Sequence, residues 1–292
     1  MANLKEVRTR IASVSSTQQI TSAMKMVSAA KFRRAQMAIL GMRPYASQLE
    51  SIIANINVDD GKSTPFHQER TPNSVLLVVV TSNKGLCGGF NANVVKQATS
   101  RVEYYRQQQC SHLSMITIGK KATEAFSKQK GLVEESHDDL LDNATFDNVH
   151  ELSHQILHRF VQRQYDRVEV VYNQFKNSIT QVLTTEQFLP IVPDSLPKTV
   201  KDAHVNNDFI YEPNKEEILR NLVPFMLHTR FYRVILDSLA AEHGARMSAM
   251  QSATDNANEL LKELRLTYNK ARQAAITNEI IEIVSGSEAL KG

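Results

Sequence analysis

At 292 residues, 42% hydrophobic and 22% charged, the chain has the composition of a globular protein long enough for one sizeable domain or two modest ones. Its 34 basic and 31 acidic residues leave a formal charge of +3 with the two signs interspersed, so nothing in the charge pattern points to nucleic acid. Two cysteines, Cys87 and Cys110, are too few for a disulfide framework and are expected as free thiols in a reducing compartment. The longest apolar run, Val75 to Val80, falls far short of the roughly 20 residues that span a bilayer, and Met1 to Arg10 has no signal-peptide core, so any membrane association is expected to be indirect.

The first predicted element is a long helix. Leu4, Val7, Ile11 and Val14, then Ile20, Met24 and Val27, then Ala35, Ala38, Met42, Tyr45, Leu49, Ile52 and Ile56 recur at three- and four-residue intervals, an apolar stripe suited to a partner helix, with Pro44 expected to kink it. Asp59 to Asn73 reads as a linker. Within it, Gly61-Lys62-Ser63-Thr64 resembles the end of a phosphate-binding loop. Ile56 stands where that loop needs its first glycine, and no strand leads in, so the match is read as chance.

The middle alternates strand and helix. Val75 to Val80 is a β-branched apolar run of the kind a strand buried on both faces needs, followed by Gly85-Leu86-Cys87-Gly88-Gly89 and a helix over Asn91 to Gln109. The glycine spacing is not that of a dinucleotide site, and a tight structural turn is expected. Strands are predicted over Leu113 to Ile118, Arg167 to Phe175 and Gln181 to Leu189, and helices over Lys120 to Lys130 and Phe146 to Arg163. This pattern is a small α/β domain of Rossmann-like type. His150-Glu151-Leu152-Ser153-His154 is a literal H-E-x-x-H, with His158 one turn on, and two histidines at i and i+4 do share the face that zinc ligation requires. No third ligand stands where one is needed, since Phe160 occupies the next position and Glu169 falls on a strand. The competing reading puts the histidines at the polar edge of an amphipathic helix whose buried face is Phe146, Val149, Leu152, Ile156 and Phe160, with no metal. Pro193 to Asn207 reads as a polar loop leading to a short strand, Phe209 to Tyr211.

The last element carries the clearest periodicity. From Ile218 to Ile281, through Leu236, His243, Arg246, Met250, Ala253, Ala257, Leu260 and Leu264, seam positions alternate by four and three, the spacing of a left-handed coiled coil. A helix from Asn214 to Ser285 would be on the order of 110 Å long at about 1.5 Å per residue. Pro213, Asn214, Glu216 and Glu217 mark its start and Gly286 its end, with a bend or a late start expected at Pro224 or Gly244. Near the end, Ile276, Ile280, Ile281, Ile283 and Val284 cover an arc of roughly 160°, wider than one partner helix needs, and so ask for further cover. The expected organisation is therefore α/β: an antiparallel two-helix coiled coil from 1–58 and 208–292, with the Rossmann-like domain over 74–192.

Four separated segments resemble one family. Ala245 to Ala257 and Tyr268 to Gly286, together with Ile20 to Lys31 and Ser82 to Phe90, are similar to the gamma subunits of bacterial F-type ATP synthases; Ser287 departs, standing where the family usually has alanine. The resemblance implies a non-catalytic rotor shaft without a cofactor, turning inside a ring of alpha and beta subunits and joined to an epsilon subunit and the c-subunit ring on the cytoplasmic face of the inner membrane. Carried over by position, Arg272, Gln273, Thr277 and Glu279 would hydrogen-bond the catalytic subunit, Cys87 would lie near its lever, and Met24 and Arg246 would form a coupling pair in the shaft. Ile280, Ile281, Ile283 and Val284 would turn in an apolar bearing, and Phe209, Tyr211 and Glu212 would form the foot on the ring and epsilon. Without the resemblance, the alternatives are a coiled-coil scaffold that does not rotate and a zinc hydrolase built on His150 and His154.

Overall fold

The computed structural model describes residues 4–56, 64–129, 131–177, 180–191, 212 and 214–289. The expected loop over 193–207, the short strand with Phe209 and Tyr211, and the Gly61-Lys62-Ser63 stretch lie outside these residues. The chain divides into two compact units, Ala29–Arg246 and Met1–Ser28 with Met247–Gly292.

The larger unit is built on a five-stranded sheet of β1 (Ser74–Val80), β2 (His112–Ile118), β3 (Val133–Ser136), β4 (Arg167–Phe175) and β5 (Gln181–Leu189), in the order β3-β2-β1-β4-β5. The first four strands run parallel and β5 returns antiparallel along β4. Central β1 is fully buried from Val75 to Val80, which is why it reads as an unbroken apolar run. Its side chains alternate between two cores. Val75, Leu77 and Val79 pack with α2 (Phe90–Gln107) and α3 (Lys120–Phe126) through Val94, Ala98, Tyr105 and Phe126. Leu76, Val78 and Val80 pack with α4 (Phe146–Val161) and with α5 (Lys215–Ala289), which supplies Val223, Leu227, Phe231 and Ile235. The strand that sequence reading missed, β3, lies at the sheet edge and alternates half-buried with exposed residues, so it carries no apolar run.

Helix α5 begins where its polar signals place it: the Asn214 side-chain oxygen accepts the Glu217 backbone N–H at 2.8 Å, capping the first turn. It is helical through both Pro224 and Gly244, so the late start is not found. It also passes Gly286, which is not among the glycines with left-handed backbone and so cannot act as a left-handed cap. In this unit α5 runs antiparallel to α1 (Leu4–Ile56): Ile39 packs with Leu236 and Ala240, and Tyr45 sets its ring edge-on to Phe225.

The smaller unit is the same pairing in its barest form. Met250, Thr254, Ala257, Leu261 and Leu264 are buried on α5, and Val7, Thr21 and Ser28 on α1. The Thr21 and Thr254 hydroxyls meet at 2.8 Å, while Ser15 and Gln18 line a cleft with Asn258, Leu261 and Lys262, so one helix descends as the other climbs. The seam is phased one residue from expectation at alternate positions: Thr254 and Leu261 are buried, while Ala253 and Leu260 are half-covered. On α1 the seam is continuous through Gln18, Thr21 and Ser28, which leaves the apolar Ile20 and Val27 60% and 58% exposed, while Met24 is half-buried.

Burial differs sharply along α5. Phe231 is fully buried and Ile283 is 71% exposed. Phe231→Ala is expected to lower the unfolding free energy by about 3–5 kcal/mol, and Ile283→Ala to change it by less than about 0.5 kcal/mol. Denaturant unfolding of the two variants measures both.

Candidate functional site

The glycine turn at the end of β1 is a joint. Under it, the Ser82 N–H donates to Asn91 Oδ1 at 3.0 Å, the Ser82 hydroxyl to the Lys84 carbonyl at 2.7 Å, and Asn91 Nδ2 to Cys87 Sγ at 3.2 Å. Cys87 is only 2% exposed and packs with Phe90 and with Ala241 and Ala245 of α5. From α5, Arg246 reaches across: its Nη2 donates to the Lys84 carbonyl at 2.9 Å and its Nε to that of Gly85 at 3.4 Å, while Nη1 pairs with Glu242. Burial pushes the Glu242 carboxyl above the usual carboxylate range against the pull of that guanidinium. In a doubly wound α/β fold this crevice, beyond the carboxyl ends of β1 and β4, is where a dinucleotide binds. Here Phe90, Phe175 and the alanines of α5 fill it, which supports the structural reading of the turn.

The H-E-x-x-H helix is likewise turned to packing. Val149, Leu152, Ile156 and Phe160 are buried in the sheet core, as an amphipathic helix requires. The Ser153 hydroxyl bonds Nδ1 of His228 from α5, whose ring centre stands 4.1 Å from that of His150 and 6.1 Å from that of His154. No spacing in the sequence announces His228 as their neighbour. Glu169 is engaged elsewhere, with Arg101 and the Tyr105 hydroxyl, both on α2. Among the described residues no group of three or more histidine, cysteine or acidic side chains is arranged to hold a metal ion. Burial first, then the neighbouring His150 and His154, lowers the His228 pKa to about 4; burial, then Arg246 and Lys31, does the same to His243.

The C-terminal end of α5 is bare. Its last buried residue is Leu264, and every residue from Ile276 to Glu288 is exposed. Ile280, Ile281, Ile283 and Val284 are 55%, 56%, 71% and 53% exposed, and Arg272, Gln273, Thr277 and Glu279 beside them point free polar groups outward. An apolar surface of this kind on a protein marks a site of association. The structure thus brings Cys87 and Arg246 into one joint, leaves the tip residues open, has Met24 half-buried on α1, and has Glu212 exposed before α5.

A family model described as ATP synthase matches residues 3–290. A protein named ATP synthase gamma chain from Flavobacterium psychrophilum is 51% identical over 294 residues, with 100% of each chain covered. Its namesake from Cytophaga hutchinsonii is 50% identical, with 99% of each covered. Among solved structures, a chain of the Tetrahymena thermophila mitochondrial ATP synthase central stalk and c-ring superposes with a TM-score of 0.58 at 26% identity, covering 80% of this chain and 99% of that one. A chain of the Euglena gracilis mitochondrial ATP synthase rotor has a TM-score of 0.60 at 19% identity, covering 94% and 98%, a likeness of fold.

The buried histidines set a pH dependence. Their folded pKa of about 4 lies below the 6.5 of a free histidine, so the unfolded chain takes up the protons more readily. Their contribution to stability is therefore whole above about pH 6.5 and is lost as the pH falls toward 4. The denaturant midpoint is expected to drop across that window, and less steeply in a His228→Asn variant.

Proposed function

The chain belongs to the ATP synthase gamma-chain family, a non-catalytic subunit of the central stalk, and we propose that it acts as the rotor shaft of a bacterial enzyme. In this reading its two end helices turn inside a ring of alpha and beta subunits. Its sheet domain joins the epsilon subunit and the c-subunit ring, and the complex holds it at the cytoplasmic face of the inner membrane. No described helix is long and apolar enough to cross a bilayer, which suits a chain held there by partners.

The observation that carries the reading is the uncovered end of α5. A helix end with a broad apolar arc and no partner among the described residues asks to be enclosed, and the ring encloses it. Ile280, Ile281, Ile283 and Val284 are the bearing, because apolar contact is non-directional and imposes few preferred angles on a turning rod. Just before them, Arg272, Gln273, Thr277 and Glu279 supply hydrogen bonds that are made and broken as each catalytic subunit comes round. The shaft does no bond chemistry. Two different helices present a different face to each of three subunits, so each subunit is biased toward a different state by the difference in contact free energy. Arg246 and Met24 carry that coupling, Arg246 through its hold on the glycine turn, and Phe209, Tyr211 and Glu212 are the foot.

A fixed scaffold with the same helices is the rival reading, and truncation separates the two. Deleting Thr277 onward removes the bearing and two of the four hydrogen-bonding residues while keeping the seam up to Leu264. Coupled ATP synthesis in membrane vesicles is expected to fall severalfold with assembly partly retained; unchanged synthesis would contradict the rotor.

A further inference from the structure

The histidines of α4 form a ladder. His150, His154 and His158 recur every fourth residue, which sets them one above another on a single side of the helix. Successive ring centres stand 6.0 Å and 6.4 Å apart. The first rung is taken up by packing: His150 is half-buried, its ring centre 5.9 Å from that of Phe146 and 4.1 Å from that of His228 on α5. Turning its ring outward would break those contacts. His154 and His158 are exposed instead, and their ring planes differ by only 14°. The H-E-x-x-H spacing of the sequence thus marks the less accessible pair, and the accessible one lies a turn further on.

The chemistry around this second pair suits a cation. Gln162 Nε2 lies 3.3 Å from His158 Nε2. An amide nitrogen only donates, so that ring nitrogen carries the lone pair and the imidazole proton sits on Nδ1. Two imidazoles that share an ion at about 2 Å from each nitrogen have ring centres roughly 5 Å apart. From 6.4 Å, rotation of two exposed side chains closes the difference while the helix backbone stays in place. The neighbouring charges do not oppose a cation: Arg159 is drawn to Glu134 and Glu135 of β3, and Glu151 is exposed one turn before His154. Among the described residues no third side chain completes a ligand set, so water fills the remaining positions.

We propose that His154 and His158 chelate one divalent transition-metal ion of the imidazole-binding class, Zn²⁺, Ni²⁺ or Cu²⁺, across a single turn of α4. The ion fastens the second half of the helix and takes no part in bond chemistry. The proposal stands apart from the rotor reading. The full chain is titrated with Zn²⁺ by calorimetry near neutral pH, and imidazole NMR is recorded on the same samples. One ion per chain is expected at the tightest site, with the ring signals of His154 and His158 moving together. Because imidazole is a ligand only when neutral, uptake is lost on acidification. His154→Ala and His158→Ala each remove the chelate and are expected to weaken binding on the order of a hundredfold. Both positions are exposed, so neither variant should shift the melting temperature without metal. His150→Gln is expected to bind like wild type. Undiminished binding in either alanine variant, a loss in His150→Gln as large as in His158→Ala, or no uptake by the wild-type chain at millimolar Zn²⁺ would each overturn the proposal.

Discussion

The structure depends on one requirement, that a 75-residue helix find cover for its apolar surface, and the cover changes along its length. From Leu219 to Arg246, α5 lies against the sheet on one side and α1 on another, and most of its residues are buried whatever their chemistry, Thr229, Asp237 and Glu242 included. From Met250 to Leu264 only a stripe is buried, against α1 alone. From Ile276 to Glu288 every residue is exposed, with no cover from the described residues. Those three regimes correspond to a helix anchored in a domain, a two-stranded rod, and a tip that the described residues leave open.

The anchored regime explains how a machine part without an active site can still resemble an enzyme. The order β3-β2-β1-β4 with its glycine turn is the framework of a nucleotide-binding fold. Its crevice is taken up by Cys87, Phe90 and the alanines of α5, and its edge is bolted to α5 by Arg246. The zinc-like histidine helix was absorbed in the same way, its apolar face given to the sheet and its Ser153 to His228. Removing one partner of the buried Arg246–Glu242 pair would leave a charge without compensation, a severe cost in such a site. That makes the joint between turn and helix rigid, and rigidity there is what an element transmitting torque needs.

Much of this was legible in the chain. Val75 to Val80 could only be a central parallel strand, and the alternation of four and three on α5 could only be a seam. What failed had physical causes. On α1 the apolar residues Ile20 and Val27 drew the expected stripe away from the true seam, which there is made of Gln18, Thr21 and Ser28; hydrophobicity marks a seam only where the seam is hydrophobic. Gly286 reads as a stop because glycine often ends helices, but an exposed glycine within a helix costs only about 1 kcal/mol, and no described residue after it takes the left-handed conformation. The pairing of His228 with His150 and the reach of Arg246 to Lys84 join residues far apart in the chain, and no local pattern encodes either. The roles proposed for Arg272, Gln273, Thr277 and Glu279 rest on family resemblance, since alone they are exposed polar residues on a helix.

The central claim is that the bare tip of α5 is a turning part. It is tested most directly by fixing an alpha/beta ring to a surface, attaching a visible probe to the sheet domain of the full chain bound in it, and supplying ATP. The account predicts continuous rotation in one direction that stops when ATP is withdrawn. A chain that binds the ring and hydrolyses ATP with it, yet holds its probe at one angle, would contradict the account.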